Sequence, residues 1–350
     1  MASIKRQLVV FAFGMLIAFG FVLILTPPGD FAGGPFTVTT AGSTTVFTLS
    51  QEWATRFQFD YPAFVVNPST GGSGLGQSQI AQQLIDIGAT SSYPDEDYIM
   101  TNPGVKIVPV SADALGVVVN PEVNGSSFKL DCDMAVAIFQ RNISTWEELE
   151  STFGVAVEQT GSINVYVRSD ASGTTATFAK WLETSDETAN PFGNYTWRLG
   201  HGETLSWAPE ISSVDGNPGV AAGVLSDAQG IGYVGLAFME GLIPAYLYNP
   251  SIDEYIEPSL ENALKALPSV LSDPGANLMN SNLEGAYPIA RLLYYMIHED
   301  NVAWHVLVFM NWVLTRGQTF ISGVGYVPIN GTSAIIYSIN VISSLNPTDS

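Results

Sequence analysis

Ala41-Gly42-Ser43-Thr44-Thr45, Thr70-Gly71-Gly72-Ser73-Gly74-Leu75-Gly76 and Arg168-Ser169-Asp170-Ala171-Ser172-Gly173-Thr174-Thr175 repeat one design. Each follows a strand-like run, passes through Gly, Ser and Thr, and enters a helix-like run. A helix start offers backbone N–H groups that no carbonyl of the helix accepts, together with the positive end of a dipole. Small residues let the backbone come close to a ligand, and hydroxyls add donors. One such loop is ordinary helix capping. Three in one chain, one carrying an arginine, predict helix ends that converge on a small oxyanion. That pattern points to binding rather than catalysis.

Working outward, strand and helix signals alternate. Phe36 and Val38 alternate with polar residues as in a strand, and Val46, Leu49, Trp53 and Phe57 recur at helical spacing. Ala63 to Val66 forms a second strand signal, and Ile80, Ala81, Leu84 and Ile85 define one face of the helix after the glycine-rich loop. Asp86 to Ser91 predicts a third strand. Val105–Val110 and Leu115–Val119 predict two more. Helical stretches follow at Met134–Phe139 and Trp146–Leu149. Ile163, Val165 and Val167 lead into the Arg168 loop, with Phe178, Trp181 and Leu182 on the helix behind it. Asp215-Gly216-Asn217-Pro218-Gly219 opens a short helix over Val220–Leu225, read as a turn whose Asp215 and Asn217 are weaker ligand candidates. Ile231 to Val234 is a strand. From Ala286 the spacing of Ile289, Leu292, Leu293 and Met296 predicts a helix, with another over Ala303–Leu314. Tyr287 and Arg291 read as structural, and Trp53, Trp181, Trp304 and Trp312 as core. Alternating elements predict an α/β fold, in which ligands sit at the carboxyl ends of the strands.

A length of 350 residues predicts two domains. Apolar residues make up 46%, enough for substantial cores, while charged residues make up only 13%. With 33 acids against 12 bases the net charge is −21, which excludes nucleic acid as a partner. The same charge repels anions at long range, so an anion site here must work through local donors. A single cysteine, Cys132, allows no internal disulfide and reads as a buried thiol. His298 and His305, seven apart in a stretch read as helical, could share a face, but with His201 they make no metal-ligand pattern.

Leu8 to Leu25 is an uncharged run of eighteen residues behind Lys5 and Arg6, closed by Pro27-Pro28. It is long enough to span a bilayer, with the basic flank inside and the rest of the chain outside. A retained membrane anchor is preferred over a cleaved signal peptide, because Phe31-Ala32-Gly33-Gly34 is a poor cleavage site. Sequons at Asn124, Asn142, Asn194 and Asn330 suit an exported, glycosylated domain.

Taken in order, AGSTTVF, GGSGLGQSQI, DIGATS, IFQRNISTW, VRSDASGTTATF, GNPGVAAGV, IGYVGLA, YPIAR and GQTFISGVGYVP resemble one family. It is the phosphate-binding, substrate-binding subunit of ABC-type phosphate importers, in the type 2 periplasmic-binding-protein superfamily. The resemblance runs from about Thr37 to Ile329. It implies two α/β domains joined by hinge strands, with the ligand between them. On this reading residues 1–28 are the signal or anchor helix and 29–35 a linker. Residues 36–115 and 236–350 form domain I, and 116–235 form domain II. The resemblance implies anion binding by Thr44, Thr45, Ser73, Ser91, Arg168, Ser172, Gly173 and Thr174, with Asp170 holding the arginine. A planar guanidinium suits a tetrahedral oxyanion. The family often has an aspartate where Ser91 stands. A hydroxyl can donate or accept, so selectivity against sulfate is less strictly enforced.

The expected partners are therefore inorganic phosphate, an ABC phosphate permease and the membrane, with no metal and no cofactor. Three alternatives stay open. One is a receptor for another small oxyanion such as sulfate, molybdate or tungstate. Another is a surface or filament protein on the same fold, including a homo-oligomer. The third is a hydrolase, for which Gly71-Gly72-Ser73-Gly74 only imitates a nucleophile elbow and lacks histidine and acid partners.

Overall fold

The expected strand-to-helix junctions all form in the computed structural model, which describes residues 35–124, 128–186 and 195–348. The chain divides into Met1–Phe36 and Thr37–Ser350. Of the first part only Pro35 and Phe36 are described, so the apolar Leu8–Leu25 run lies outside the described residues. Among the described residues no helix is long and apolar enough to cross a membrane.

The first part of the fold runs β1 (Phe36–Gly42), α1 (Thr44–Asp60), β2 (Phe64–Thr70), α2 (Ser73–Ala81), β3 (Ile87–Thr90), α3 (Glu96–Thr101) and β4 (Val105–Val119). Next come β5 (Lys129–Leu130), α4 (Cys132–Phe139), α5 (Trp146–Phe153), β6 (Asn164–Arg168), α6 (Gly173–Leu182), β7 (Ser212–Val214), α7 (Gly216–Ser226) and β8 (Gly230–Gly235). The chain closes with β9 (Ile243–Pro244), β10 (Tyr246–Asn249), β11 (Glu254–Ile256), α8 (Leu260–Lys265), β12 (Ala290–His298), α9 (Trp304–Leu314) and α10 (Ser333–Ser344).

The main sheet has the order β2-β1-β3-β12-β4-β8-β6-β7, with β9 also on β4. The long strand β4 serves both halves. Residues 105–114 pair antiparallel with β12, and 115–119 pair with β8. Two parallel units flank it, β1 with β3 and β6 with β8 and β7. The result is a two-domain α/β architecture with one shared strand at its centre. Pro109 sits inside β4, where it cannot donate a ladder bond. A register shift at Leu293/Tyr294 leaves Val110 as an extra residue beside it, and the Val110 carbonyl accepts from Gln318 Nε2 at 2.9 Å. Aromatic residues fill both cores. Trp53, Tyr295, Phe57 and Phe309 pack in the first half, and Phe139, Phe178, Trp181 and Tyr233 in the second. Cys132 is buried, with its thiol donating to the Trp181 carbonyl.

Several expectations are corrected. The helix predicted from Ala286 is the strand β12 over its central stretch. Its residues are buried on both faces, so an unbroken apolar run mimics helical spacing. His298 consequently ends a strand while His305 lies on α9, and they share no face. The two strands predicted over 105–119 are one. Helix α2 stops at Ala81, and Leu84 is 66% exposed rather than on a buried helix face. Trp304 is partly exposed, unlike the buried Trp53, Trp181 and Trp312.

Gly42 sits where β1 hands over to α1. Its φ is +137°, its carbonyl accepts from Gly72 N, and the next amide, Ser43 N, donates to Ala89 O at 2.9 Å. A β-carbon there would stand 2.2 Å from that same Ala89 oxygen. Gly42→Ala should therefore destabilise the protein by about 2–3 kcal/mol through strain and clash. Urea unfolding of variant and wild type checks this, and equal midpoints would contradict the assigned geometry.

Candidate functional site

The first-domain part of the site is built at two helix starts and one strand end. Ser43 caps α1, accepting from Val46 N at 3.4 Å, so the hydroxyls of Thr44 and Thr45 are not needed as caps. Gly72 precedes α2 with a φ of +85° and no side-chain cap, which leaves Ser73 as the first helical residue. Ser73 Oγ accepts from Ser91 N at 3.2 Å and lies 3.4 Å from Ser91 Oγ, just past the end of β3. All five of these Thr and Ser side chains are buried.

The second domain supplies the Arg168 loop. Ser172 caps α6 by accepting from Thr175 N at 3.1 Å. A β-carbon on Gly173 would stand 2.7 Å from Ser73 Oγ and 2.8 Å from Ser91 Oγ, so only glycine lets these loops approach so closely. Thr174 Oγ1 is 3.1 Å from Thr45 Oγ1, and Gly74 N donates to Ala171 O at 3.2 Å. The three loops thus meet, and the structure brings together all nine residues expected from the sequence.

Arg168 is buried, with Nε donating to Asp170 Oδ1 at 2.6 Å and Nη2 donating to Asp170 Oδ2. Among the described residues its Nη1 has no hydrogen-bond partner, which leaves one edge of the guanidinium able to donate. Asp170 Oδ1 also accepts from Gly216 N at 3.2 Å. Burial pulls the Asp170 carboxyl up, but Arg168 and the Gly216 amide pull harder, and the net shift is downward. Asp170 therefore stays ionised beside the arginine.

Arg291, Asp113 and Glu203 were not legible as site residues from the sequence, and Asn217 was only a weaker candidate. Arg291, read as structural, reaches in from β12 and is 5% exposed. Its Nε and Nη2 donate to Asp113 Oδ2 at 3.2 and 2.7 Å. Burial pushes the Asp113 carboxyl up, against the pull of Arg291 and of the Leu236 amide. Asn217, the second residue of α7, donates through Nδ2 to Thr45 Oγ1 at 2.8 Å. Glu203 spans the two domains, its Oε1 accepting from Gln77 Nε2 at 2.7 Å and Ser92 Oγ at 3.4 Å. The one available signal was scarcity. The chain has seven arginines, so one inside an apolar run such as Ala290–His298 demands a buried acid.

The model of one family, described as a PBP superfamily domain, matches residues 31–316. The phosphate-binding protein PstS of Haemophilus influenzae is 27% identical over 83% of this chain and 88% of its own length. The phosphate-binding protein PstS of Methanocaldococcus jannaschii is 26% identical over 80% of this chain and 79% of its own. Among solved structures, an ABC-type phosphate transport receptor from Vibrio cholerae superposes with a TM-score of 0.58. It is 19% identical and covers 83% of this chain and 99% of its own. At that identity the likeness establishes the fold, two α/β domains of the periplasmic-binding-protein kind.

Burial raises the Glu203 carboxyl from 4.5 to about 7, with nearby Asp95 and Asp170 adding to the rise and Ser92 and Gln77 opposing it. The folded state thus favours the protonated form. This stabilisation is complete below the unfolded value of 4.5 and is lost as pH rises through about 7. Between about pH 5 and about pH 8 the wild type should lose about 3 °C or more in melting temperature relative to Glu203→Gln. Parallel melting curves for the two proteins would contradict this assignment.

Proposed function

The chain belongs to the PBP superfamily, and from that premise we propose that it captures inorganic phosphate between its two domains and delivers it to an ABC import permease. The observation that carries this reading is the meeting of three helix starts, at Thr44, Ser73 and Gly173, whose buried hydroxyls from both domains stand together beside the loop that carries Arg168. Such a cluster offers many donors and a single fixed positive charge, which suits a small tetrahedral anion and little else. The names of the relatives agree with it, since the Haemophilus and Methanocaldococcus proteins are phosphate-binding proteins and the Vibrio structure is an ABC-type phosphate transport receptor.

On this reading Thr44, Thr45, Ser73, Ser91, Arg168, Ser172, Gly173 and Thr174 hold the anion, and Asp170 fixes Arg168. The domains divide near residues 116 and 235, where β4 changes partners and β8 ends, and closure about these strands dehydrates the ligand. The chain acts outside the cytoplasm, tethered by the apolar Leu8–Leu25 segment. Its role is binding and hand-over, with no bond made or broken.

Each hydrogen bond from a charged donor contributes about 1.5–3 kcal/mol. Arg168→Ala should therefore weaken phosphate binding by at least about tenfold while ligand-free melting stays within about 3 °C of wild type. Equilibrium dialysis with labelled phosphate checks this, and an unchanged affinity would refute the assignment of Arg168.

A further inference from the structure

Asn217 and Arg291 sit among the site hydroxyls, yet neither has a donor left for an anion. Asn217 Nδ2 donates to Thr44 Oγ1 at 3.3 Å and to Thr45 Oγ1 at 2.8 Å. Its backbone N–H also points at Thr44 Oγ1, at 3.4 Å, and its Oδ1 accepts from Gly235 N at 3.2 Å. Arg291 has five N–H groups. Nε and one from Nη2 go to Asp113, Nη1 donates to Ser91 O and Thr174 Oγ1 at 3.2 Å each, and the second from Nη2 faces Thr45 Oγ1 at 3.5 Å. Both side chains are buried and completely engaged. Arg168 differs, because its Nη1 is uncommitted.

A hydroxyl has two acceptor positions and one proton. Thr44 Oγ1 receives both of its donors from Asn217, so its own proton must point elsewhere. Thr45 receives Asn217, Thr174 receives Arg291, and the two threonines share one bond at 3.1 Å. Whichever of that pair donates to the other, one O–H remains with no acceptor among these groups. Donors that occupy the lone pairs therefore turn the proton of Thr44 and one proton of the Thr45–Thr174 pair away from Asn217 and Arg291.

We infer that Asn217 and Arg291 are positioning residues that fix Thr44 and one hydroxyl of the Thr45–Thr174 pair as hydrogen-bond donors to the bound anion. The inference rests on the phosphate reading above and deepens it. The site then presents donors on this side, and its preferred ligand is an oxyanion whose facing oxygens are all acceptors. Asp113 acts at one further remove, holding the Arg291 fork in register.

A thermodynamic cycle tests this on the full-length, ligand-stripped protein, with inorganic phosphate followed by calorimetry. Asn217→Ala should weaken binding by about tenfold or more in the wild-type background. In a Thr44→Val/Thr45→Val background, itself weakened, the same change should cost less than about twofold, because the hydroxyls it orients are gone. Losses that add across the two backgrounds would overturn the inference, since Asn217 would then act directly or through the fold. Arg291→Lys keeps the charge beside Asp113 and supplies a second cycle against Thr45→Val/Thr174→Val, with the same two outcomes should Asn217→Ala not fold. A wild type that binds no phosphate in these titrations would refute the functional reading, and this inference with it. Tight wild-type binding with an additive cycle would refute the inference alone.

Discussion

The pairing of Arg168 with Asp170 organises the site. A buried guanidinium is tolerable only with a partner, and a carboxylate on one edge supplies it. That edge uses Nε and Nη2. The opposite edge stays available, and the start of α7 anchors the pair through Gly216 N. In a chain of net charge −21 this local arrangement has to overcome repulsion at longer range. On the proposed reading it does so with dipoles and donors placed close together among buried groups, where each interaction is stronger than in water. Arg291 with Asp113 is the counterpart turned to another use. There every N–H is spent inside the protein, and the pair braces the hydroxyls rather than offering charge.

The fold makes these contacts possible. Strand β4 runs through the centre of the sheet and is held by β12 on one half and by β8 on the other. Both domains therefore present the carboxyl ends of their parallel strands to the same region. Close approach of the loops then depends on residues without side chains. Gly42 lets β1 end against β3, and Gly173 lets α6 begin against Ser73 and Ser91. Glu203 adds a bridge between domains, and ionising its buried carboxyl costs stability although Gln77 and Ser92 donate to it.

How much of this could be read in the sequence follows from the range of the forces involved. The loops at Ser43, Ser73 and Ser172 were legible because helix starts and glycine-permitted turns are local chemistry. Strand β12 was misread because a strand buried on both faces has no alternation, and Leu292, Leu293 and Met296 fit a helical period by accident. Leu84 was misplaced because a helix of nine residues stops before its predicted face is complete. Arg291, Asp113 and Glu203 stayed hidden, and Asn217 stayed a weaker candidate, for another reason. Each acts on a partner more than a hundred residues away, as Arg291 does on Asp113, and nothing adjacent in sequence marks such a pairing.

The central claim is that this donor cluster is a phosphate site able to discriminate among oxyanions despite Ser91. The most direct test is calorimetric titration of ligand-stripped wild-type protein with phosphate, repeated in a large excess of sulfate. The account predicts tight one-to-one binding of phosphate that survives the sulfate. A folded protein that binds neither anion would contradict it, and equal competition by sulfate would contradict the phosphate assignment.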